Sequence, residues 1–275
     1  MPEFPTSGPL TVDVRLAGGS IDLSAEPRDS AQVEIAPYDD SDVAREAAAR
    51  TRVELSGDTL VIAAPDGSGW LLRRSPRLRV TGRVPAGSTV RLKAATSDVT
   101  CHGEWAHAKL NTAAGDIYLE RATGDLTVNT ASGDIRAGVI GGRLTVKTAS
   151  GDVSAQQVTG SVDVKSASGD VQIDDAGGDL TLTTASGNAT VGTTRQGTAR
   201  ATTVAGDVSI GVAAGTGVWL DLNTLSGRAD SDLTVTDGAG GDTSHDLTVQ
   251  VRAVSGNIHV HRCTSRPARH SPGQT

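Results

Sequence analysis

The sequence predicts an all-β fold: a parallel β-solenoid, or β-helix, built from 18-residue coils and preceded by an irregular β-rich cap that contains one short helix. The main observation is a segment that reads Thr-Ala-Ser-Gly-Asp-Val in its most regular form and returns every 18 residues. A fixed period of this kind indicates stacked units, because each unit covers the apolar face of its neighbour. The aligned copies begin at residues 112, 130, 148, 166 and 184.

A second pattern lies nine residues out of phase and indicates at least two strands in each coil. Gly-Asp-Leu-Thr-Val at 124–128 returns in related form at 142–146, 160–164 and 178–182. Apolar residues alternate with Thr or Asp, which is typical of strands with one buried face. The number of strands that completes a coil, two or three, stays open, as does the handedness. Residues 18 apart should stack in columns, and three such columns are predicted to point inward. They are Ile117, Ile135, Val153 and Val171; Leu126, Leu144, Val162 and Leu180; and Val128, Val146, Val164 and Leu182.

The glycine of each copy is predicted to adopt a positive φ in a tight turn, where a Cβ is disfavoured. The following Asp is predicted to accept a hydrogen bond from an amide of its own turn. The preceding alanines, such as Ala131 and Ala149, are expected at bends with room only for a small side chain.

Composition and charge exclude several classes of function. The chain has three Trp, two Tyr and one Phe among 275 residues, so its core must consist of aliphatic side chains. A net charge of -7 argues against nucleic acid as a partner, because such binders usually display a basic surface. The start of the sequence does not resemble a secretory signal, and we find no apolar run long enough for membrane insertion. A cytoplasmic location is therefore predicted.

Four regions follow from the pattern. Residues 1–90 are predicted to form the capping region, with a helix around Val43–Ala49 and Ser41 as its N-cap. Residues 91–215 form the regular coils, 216–263 form irregular coils with longer spacings, and 264–275 form a disordered tail.

The Thr-Ala-Ser-Gly-Asp-Val segments and the Val-Pro-Ala-Gly-Ser-Thr-Val lead-in at 84–90 resemble the bacterial β-strand-repeat family of unknown function labelled "putative adhesin". The resemblance covers roughly residues 10–262. It implies a β-solenoid, in proteins of uncertain role near the bacterial envelope, and it transfers no catalytic residue.

No catalytic, cofactor-binding or metal-binding residue is predicted, and no cofactor. The Gly-Asp turns differ from calcium-binding nonapeptides, because one glycine directly precedes Asp. The in-phase Asp column could attract a cation or a basic partner, which stays open. His259 and His261 would lie on one face of a strand, but no further metal ligand has a recognisable spacing from them, so they are not predicted to bind a metal. The same holds for His102 and His107. Cys101 and Cys263 are interpreted as incidental thiols.

These observations predict a non-enzymatic structural or protein-interaction module, a rigid scaffold whose partner is an unidentified protein or a second copy of the chain. An adhesin-like envelope or extracellular ligand-binding protein is the alternative that the resemblance implies. A β-helical carbohydrate-active enzyme is the weakest alternative, because the coils lack a recognisable pair of catalytic carboxylates with sugar-positioning groups.

Overall fold

The computed structural model of the protein, which describes residues 2–65, 76–233 and 246–263, is a parallel β-solenoid as the sequence predicts. The predicted disordered tail, 264–275, lies outside the described residues. Within those residues the structure contains no helix with the length and apolarity needed to cross a membrane.

The capping region and the first complete coils contain seven strands and a helix. In chain order these are β1 (Glu3–Pro5), β2 (Thr11–Glu26), β3 (Ser30–Pro37), α1 (Asp42–Arg50), β4 (Arg52–Ser56), β5 (Thr59–Ala63), β6 (Leu78–Pro85) and β7 (Thr89–Trp105).

The following coils contain shorter strands. They are β8 (His107–Asn111), β9 (Ile117–Ala122), β10 (Leu126–Asn129), β11 (Ile135–Ile140), β12 (Leu144–Ser150), β13 (Val153–Val158), β14 (Val162–Ser168), β15 (Val171–Ala176), β16 (Leu180–Ser186), β17 (Ala189–Thr194), β18 (Gly197–Ala205), β19 (Val208–Val212), β20 (Val218–Ser226), β21 (Ala229–Ser231), β22 (Leu247–Ser255) and β23 (Ile258–Arg262).

Two strands complete each regular coil, one in each of two facing sheets. The first sheet runs in the order β4-β5-β2-β7-β8-β10-β12-β14-β16-β18-β22-β20. The second runs β1-β3-β6-β2-β7-β9-β11-β13-β15-β17-β19-β23-β21. The long strands β2 and β7 belong to both sheets, so each of them forms a complete coil.

The core lies between the two sheets, and the predicted inward columns are confirmed. Val164 pairs with Val146 on one side and Leu182 on the other, and the exposed fractions of these three side chains are 0–2%. Each buried aliphatic side chain of this size contributes roughly 1.5–3 kcal/mol relative to an exposed one. An unbroken column of them therefore stabilises the stack along its length.

At the corner between the sheets, the prediction for the alanine column is wrong. Ala131 and Ala149 are exposed, and the Thr or Ser just before each alanine points inward instead. A buried hydroxyl needs a partner, and the Thr148 Oγ1–H donates to the Ser150 carbonyl at 2.9 Å. The Ser166 hydroxyl donates to the carbonyl two residues further on in the same way. This local hydrogen bond satisfies the hydroxyl in these two coils, whereas the equivalent Thr184 and Thr203 hydroxyls are buried without a partner among the described residues.

The N-terminal end of the solenoid is closed by antiparallel strands and the helix. β4 pairs antiparallel with β5, β3 with β6, and β1 with β3. The predicted helix and its cap are confirmed: Ser41 Oγ accepts a hydrogen bond from the Ala44 amide at 3.1 Å. Ala44 and Ala47 are the buried residues of α1. These elements cover the parallel edge that the first coils would otherwise leave open.

Coil order in space differs from coil order in sequence at both ends. At the N-terminal end, β2 lies between the coil of β5 and β6 and the coil of β7. At the C-terminal end, β22 and β23 lie between the coil of β18 and β19 and the coil of β20 and β21. The first and last complete coils of the chain are thereby hydrogen-bonded on both edges.

Candidate interaction surfaces

A ladder of aspartate and asparagine side chains runs along one corner of the solenoid. In successive coils the Oδ1 atom of the residue after the turn glycine, or after Ser97 in the first of them, accepts a hydrogen bond from the backbone N–H at the same position of the next coil. For Asp134 the donor is Asp152 at 3.0 Å, and for Asp152 it is Asp170 at 2.8 Å. The acceptors, in the order in which the coils stack, are Asp98, Asp116, Asp134, Asp152, Asp170, Asn188, Asp207 and Asn257. The last of them, Asn257, accepts from the Arg228 amide.

This ladder corrects the prediction that each Asp accepts a bond from its own turn. The acceptor serves the adjacent coil, 18 residues away in the regular part, so it holds two coils together at a corner where the chain changes sheet. Asn188 and Asn257 act in the same way as the aspartates, which shows that the bond needs a side-chain oxygen and not a negative charge. A structural role therefore explains the column without a bound ion.

The opposite corner has a shorter version of the ladder. His107 Nδ1 accepts from the Asp125 amide at 3.0 Å, and Asp125 Oδ1 accepts from the Arg143 amide at 2.8 Å. Further along, Asp179 Oδ1 accepts from the Thr198 amide at 2.8 Å. His107 therefore has a structural hydrogen bond of the same kind as the aspartates.

The other three histidines of the described residues lie at two separate places on the second sheet. His259 and His261 stack with ring centroids 5.2 Å apart, and His259 Nε2 lies 3.6 Å from an oxygen of Asp232. His102 lies 3.7 Å from Glu120 elsewhere on the second sheet. In residues 2–65, 76–233 and 246–263, no group of three or more His, Cys, Asp or Glu side chains has the geometry to hold a metal ion.

The two thiols are free and have different surroundings. Cys101 is buried in the core, where burial and, secondarily, the charge of Asp22 raise the pKa of its thiol to about 12. The thiolate is the reactive form of cysteine, so Cys101 is inert in the folded protein. The half-buried Cys263 thiol contacts the Gly192 carbonyl oxygen at 2.7 Å.

The outward side of the first sheet carries two rows of charged and polar side chains in which cations outnumber anions. One row consists of Arg91 and the residues aligned with it by strand pairing, from Asp13 in β2 to Gln250 in β22. The other consists of Lys93 and the residues aligned with it, from Arg15 to Arg252. We call these two rows together the basic face. They contain two anions, Asp13 and Asp163. The exposed cations of the basic face are Arg15, Arg91, Lys93, Lys109, Lys147, Lys165, Arg200 and Arg252.

Polar side chains fill the remaining positions of the basic face. Near the C-terminal end, Arg200, Thr202, Gln250 and Arg252 line a shallow depression of about 310 Å³. Arg200 donates two hydrogen bonds to the Gln250 side-chain oxygen, at 3.1 and 2.8 Å, which link the two neighbouring strands. At the N-terminal end of the basic face, Arg15 forms an ion pair with Asp13 at 2.9 Å. On the second sheet, Arg136 forms a similar ion pair with Asp134 at 3.0 Å.

The basic face was missed by reasoning from the whole-chain charge. Its cations recur at matching positions of successive coils, such as Arg91 with Lys109 and Lys147 with Lys165. The 18-residue offset could have shown this clustering, because it places both members of each pair on one outward row.

The fold and these surfaces define a class of protein: a two-sheet parallel β-solenoid with hydrogen-bonded side-chain ladders and one basic face. The chain belongs to the Toastrack family DUF4097, whose sequence model matches residues 28–261. This confirms the resemblance inferred from the repeats. Among curated proteins, none matches this sequence.

Three solved structures are similar in fold at low sequence identity. A protein of Bacteroides fragilis described as a "putative adhesin" is 11% identical, with 95% of each chain covered and a TM-score of 0.43. A "putative adhesin" of Parabacteroides distasonis is 10% identical, with 95% of each chain covered and a TM-score of 0.36. A "putative cell adhesion protein" of Clostridium sporogenes is 10% identical, with 95% of this chain and 99% of that chain covered and a TM-score of 0.27.

Proposed function

We propose that the protein is a non-enzymatic interaction scaffold whose basic face binds an acidic segment of a partner protein. The observation that carries this proposal is the separation of charge. Eight exposed cations and two anions lie in two rows on one face, although the whole chain has a net charge of -7. A concentrated field of one sign favours association with a partner of the opposite sign.

The spacing of the rows suits an extended segment. Neighbouring side chains in one row are about 4.8 Å apart, and the two rows are about 6.7 Å apart, because the strand positions differ by two residues. Lys147 and Lys165 are adjacent in the same row, so they can contact consecutive carboxylates of a chain that crosses the strands. Thr, Asn and Gln side chains between the cations supply further hydrogen bonds.

A protein partner fits these rows better than a nucleic acid or a sugar polymer. The rows contain no aromatic residue for stacking on bases or sugar rings, which such ligands commonly use. A long polyanion would also extend past the basic face to the acidic remainder of the surface. A short acidic protein segment avoids that repulsion.

The test is a binding titration of the full chain with a fluorescent oligoglutamate peptide at low salt. We expect Lys147→Glu combined with Lys165→Glu to weaken binding at least ~10-fold, because adjacent like charges then oppose the peptide. The matched control is Arg121→Glu with Arg136→Glu, two exposed outward cations of the second sheet with the same change in net charge. This control should change affinity less than ~3-fold, since its effect is long-range and screened.

Equal weakening by the two double variants would contradict a specific basic face and indicate a response to net charge alone. Tighter binding of single-stranded DNA than of the peptide would also overturn the proposal. A decrease of peptide affinity with rising salt is expected for a contact between exposed charges.

The rival role is an adhesin-like protein of the envelope or the cell exterior, as the family resemblance implies. We propose a cytoplasmic location instead, supported by the two free thiols, which are typical of a reducing compartment. Fractionation of the native host tests this: recovery with cytoplasmic markers supports the scaffold, and recovery at the cell surface supports the adhesin.

A further inference from the structure

The C-terminal end of the solenoid differs from the closed N-terminal end. β20 is the last strand of the first sheet and pairs with β22 on one edge only. No other strand of the described residues pairs with its outer edge. The inward side chains Val218, Leu220 and Leu222 are half-buried, whereas their partners Leu247, Val249 and Val251 in the preceding coil are fully buried.

Exposed apolar side chains surround this open edge. Leu225 is 79% exposed, and it continues a corner column that contains Val254 and Val204, which are 46% and 52% exposed. Trp219, near the other end of β20, is 42% exposed. In the regular coils the same corner column consists of alanine, so large apolar side chains occur there only as the column approaches the open edge. Clustered exposed apolar residues at a sheet edge indicate an interface.

Two segments outside the described residues adjoin the C-terminal strands in sequence, and both are poor in apolar residues. Residues 234–245 contain Val235 as their single apolar side chain larger than alanine, and residues 264–275 contain only Pro267 and Pro272. An alternating apolar strand would be needed to complete another coil over Val218, Leu220 and Leu222. The composition of both segments lacks that pattern.

A second copy has the required surface, and the N-terminal end determines which surface it presents. A head-to-tail filament would pair β20 with β4, the N-terminal edge strand of the first sheet, which pairs only with β5 among the described strands. The exposed residues of β4 are Arg52, Glu54 and Ser56, so this edge lacks the large apolar side chains found beside β20 and carries charges that oppose strand pairing. The available partner surface is therefore the same C-terminal edge of another copy. Contact of one surface with itself gives a closed two-fold dimer.

We propose that two copies associate end to end through antiparallel pairing of β20 with the partner's β20, centred on Leu222. In this register Trp219 lies opposite the partner's Leu225, and Asp221 lies opposite the partner's Asn223. Both pairs are on the outward side, because the inward positions are 218, 220, 222 and 224. The pairing joins large apolar residues and places no like charges directly opposite each other. It also extends both first sheets into one continuous surface.

This proposal does not rest on binding by the basic face, and its first test is the mass of the full chain by size-exclusion chromatography with light scattering. We expect a mass twice the 28.0 kDa of one chain. Leu225→Asp should weaken self-association at least ~10-fold, because it places a carboxylate in the apolar interface. Val43→Asp is the matched control, since Val43 is an exposed apolar residue of α1 at the closed end.

The second test is cross-linking in a Cys263→Ser background. Leu222→Cys should form an intermolecular disulfide on oxidation, because residues opposite each other in an antiparallel pair lie about 4.5–5.5 Å apart at Cα, within the range for a disulfide. Leu220→Cys should not, since its copies would be offset by four residues, or about 13 Å.

A wild-type mass of one chain at high micromolar concentration would overturn the proposal. A dimer that Leu225→Asp and Val43→Asp leave equally intact would overturn it too. Cross-linking by Leu220→Cys as efficient as by Leu222→Cys would contradict the register.

Discussion

Replacing Val164 with Asp should lower the free energy of unfolding by about 4 kcal/mol or more, because it places an unpaired carboxylate between the two sheets. Val164 is fully buried between Val146 and Leu182, and the substitution also removes an apolar contact from each. For a chain of this size we expect the midpoint of thermal unfolding, followed by circular dichroism, to fall by roughly 10 °C or more.

The control is the adjacent residue on the opposite side of the strand. Asp163 points outward, and its Oδ1 atom is buried without a hydrogen-bond partner in the described structure. Because no hydrogen bond of that oxygen is lost, Asp163→Ser should lower stability by no more than about 0.5 kcal/mol. A larger loss from Asp163→Ser than from Val164→Asp would reverse the assignment of inward and outward faces.

Gly151→Val should cost about 3 kcal/mol or more, for two independent reasons. Gly151 has φ +110°, a conformation that β-branched residues strongly disfavour. A Cβ at this position would also lie 2.3 Å from the backbone carbonyl oxygen of Gly133 in the adjacent coil. The outward substitution Thr145→Ser should have a small effect in the same thermal unfolding measurement.

A pair of alanine variants separates the two reasons. Gly215 has φ +82°, and a Cβ added there would meet no atom within 4 Å beyond its chain neighbours, so Gly215→Ala measures the backbone conformation alone. Gly151→Ala combines a positive φ with the contact to the next coil. Equal losses of stability in these two variants would rule out close stacking of the coils as a reason for glycine at the corner.

The sequence was sufficient to predict the period, the inward columns and the capped helix, because these features depend on contacts between equivalent positions. The repeated alternation around Val146 and Val164 determines which side of the strand is buried. The Ser41 cap follows from a local interaction with an amide three residues away. Such features need no knowledge of how distant segments are arranged.

The exchanged coil order could not be predicted in this way. The turn glycines Gly206, Gly227 and Gly256 appear in that order in the sequence, yet Gly256 stacks on Gly206 and Gly227 stacks on Gly256. All three coils carry similar apolar alternation, so periodicity gives no preference for one stacking order over the other. The Asp ladder was missed for a related reason, because both a turn amide and the next coil offer a donor to the same carboxylate.

The surfaces depend on this arrangement as well. Because the coil of β22 and β23 is inserted, β20 becomes the terminal strand and its apolar residues become accessible. If the coils stacked in the order of the sequence, β22 would be the edge strand and β20 would be buried between two coils. The proposed dimer therefore requires the observed order, whereas the basic face between β7 and β18 does not.

The most direct test of the architecture is disulfide formation between engineered cysteines at the C-terminal end, again in the Cys263→Ser background. Ser209 pairs with His259, and His259 pairs with Asp230, on the outward side of the second sheet. Ser209→Cys with His259→Cys should form an intramolecular disulfide, because adjacent strands are about 4.8 Å apart. Ser209→Cys with Asp230→Cys should not, since two strand spacings separate the residues by about 9.6 Å. The opposite result, a disulfide only in the second variant, would show that the coils stack in sequence order and would contradict the fold described for this end.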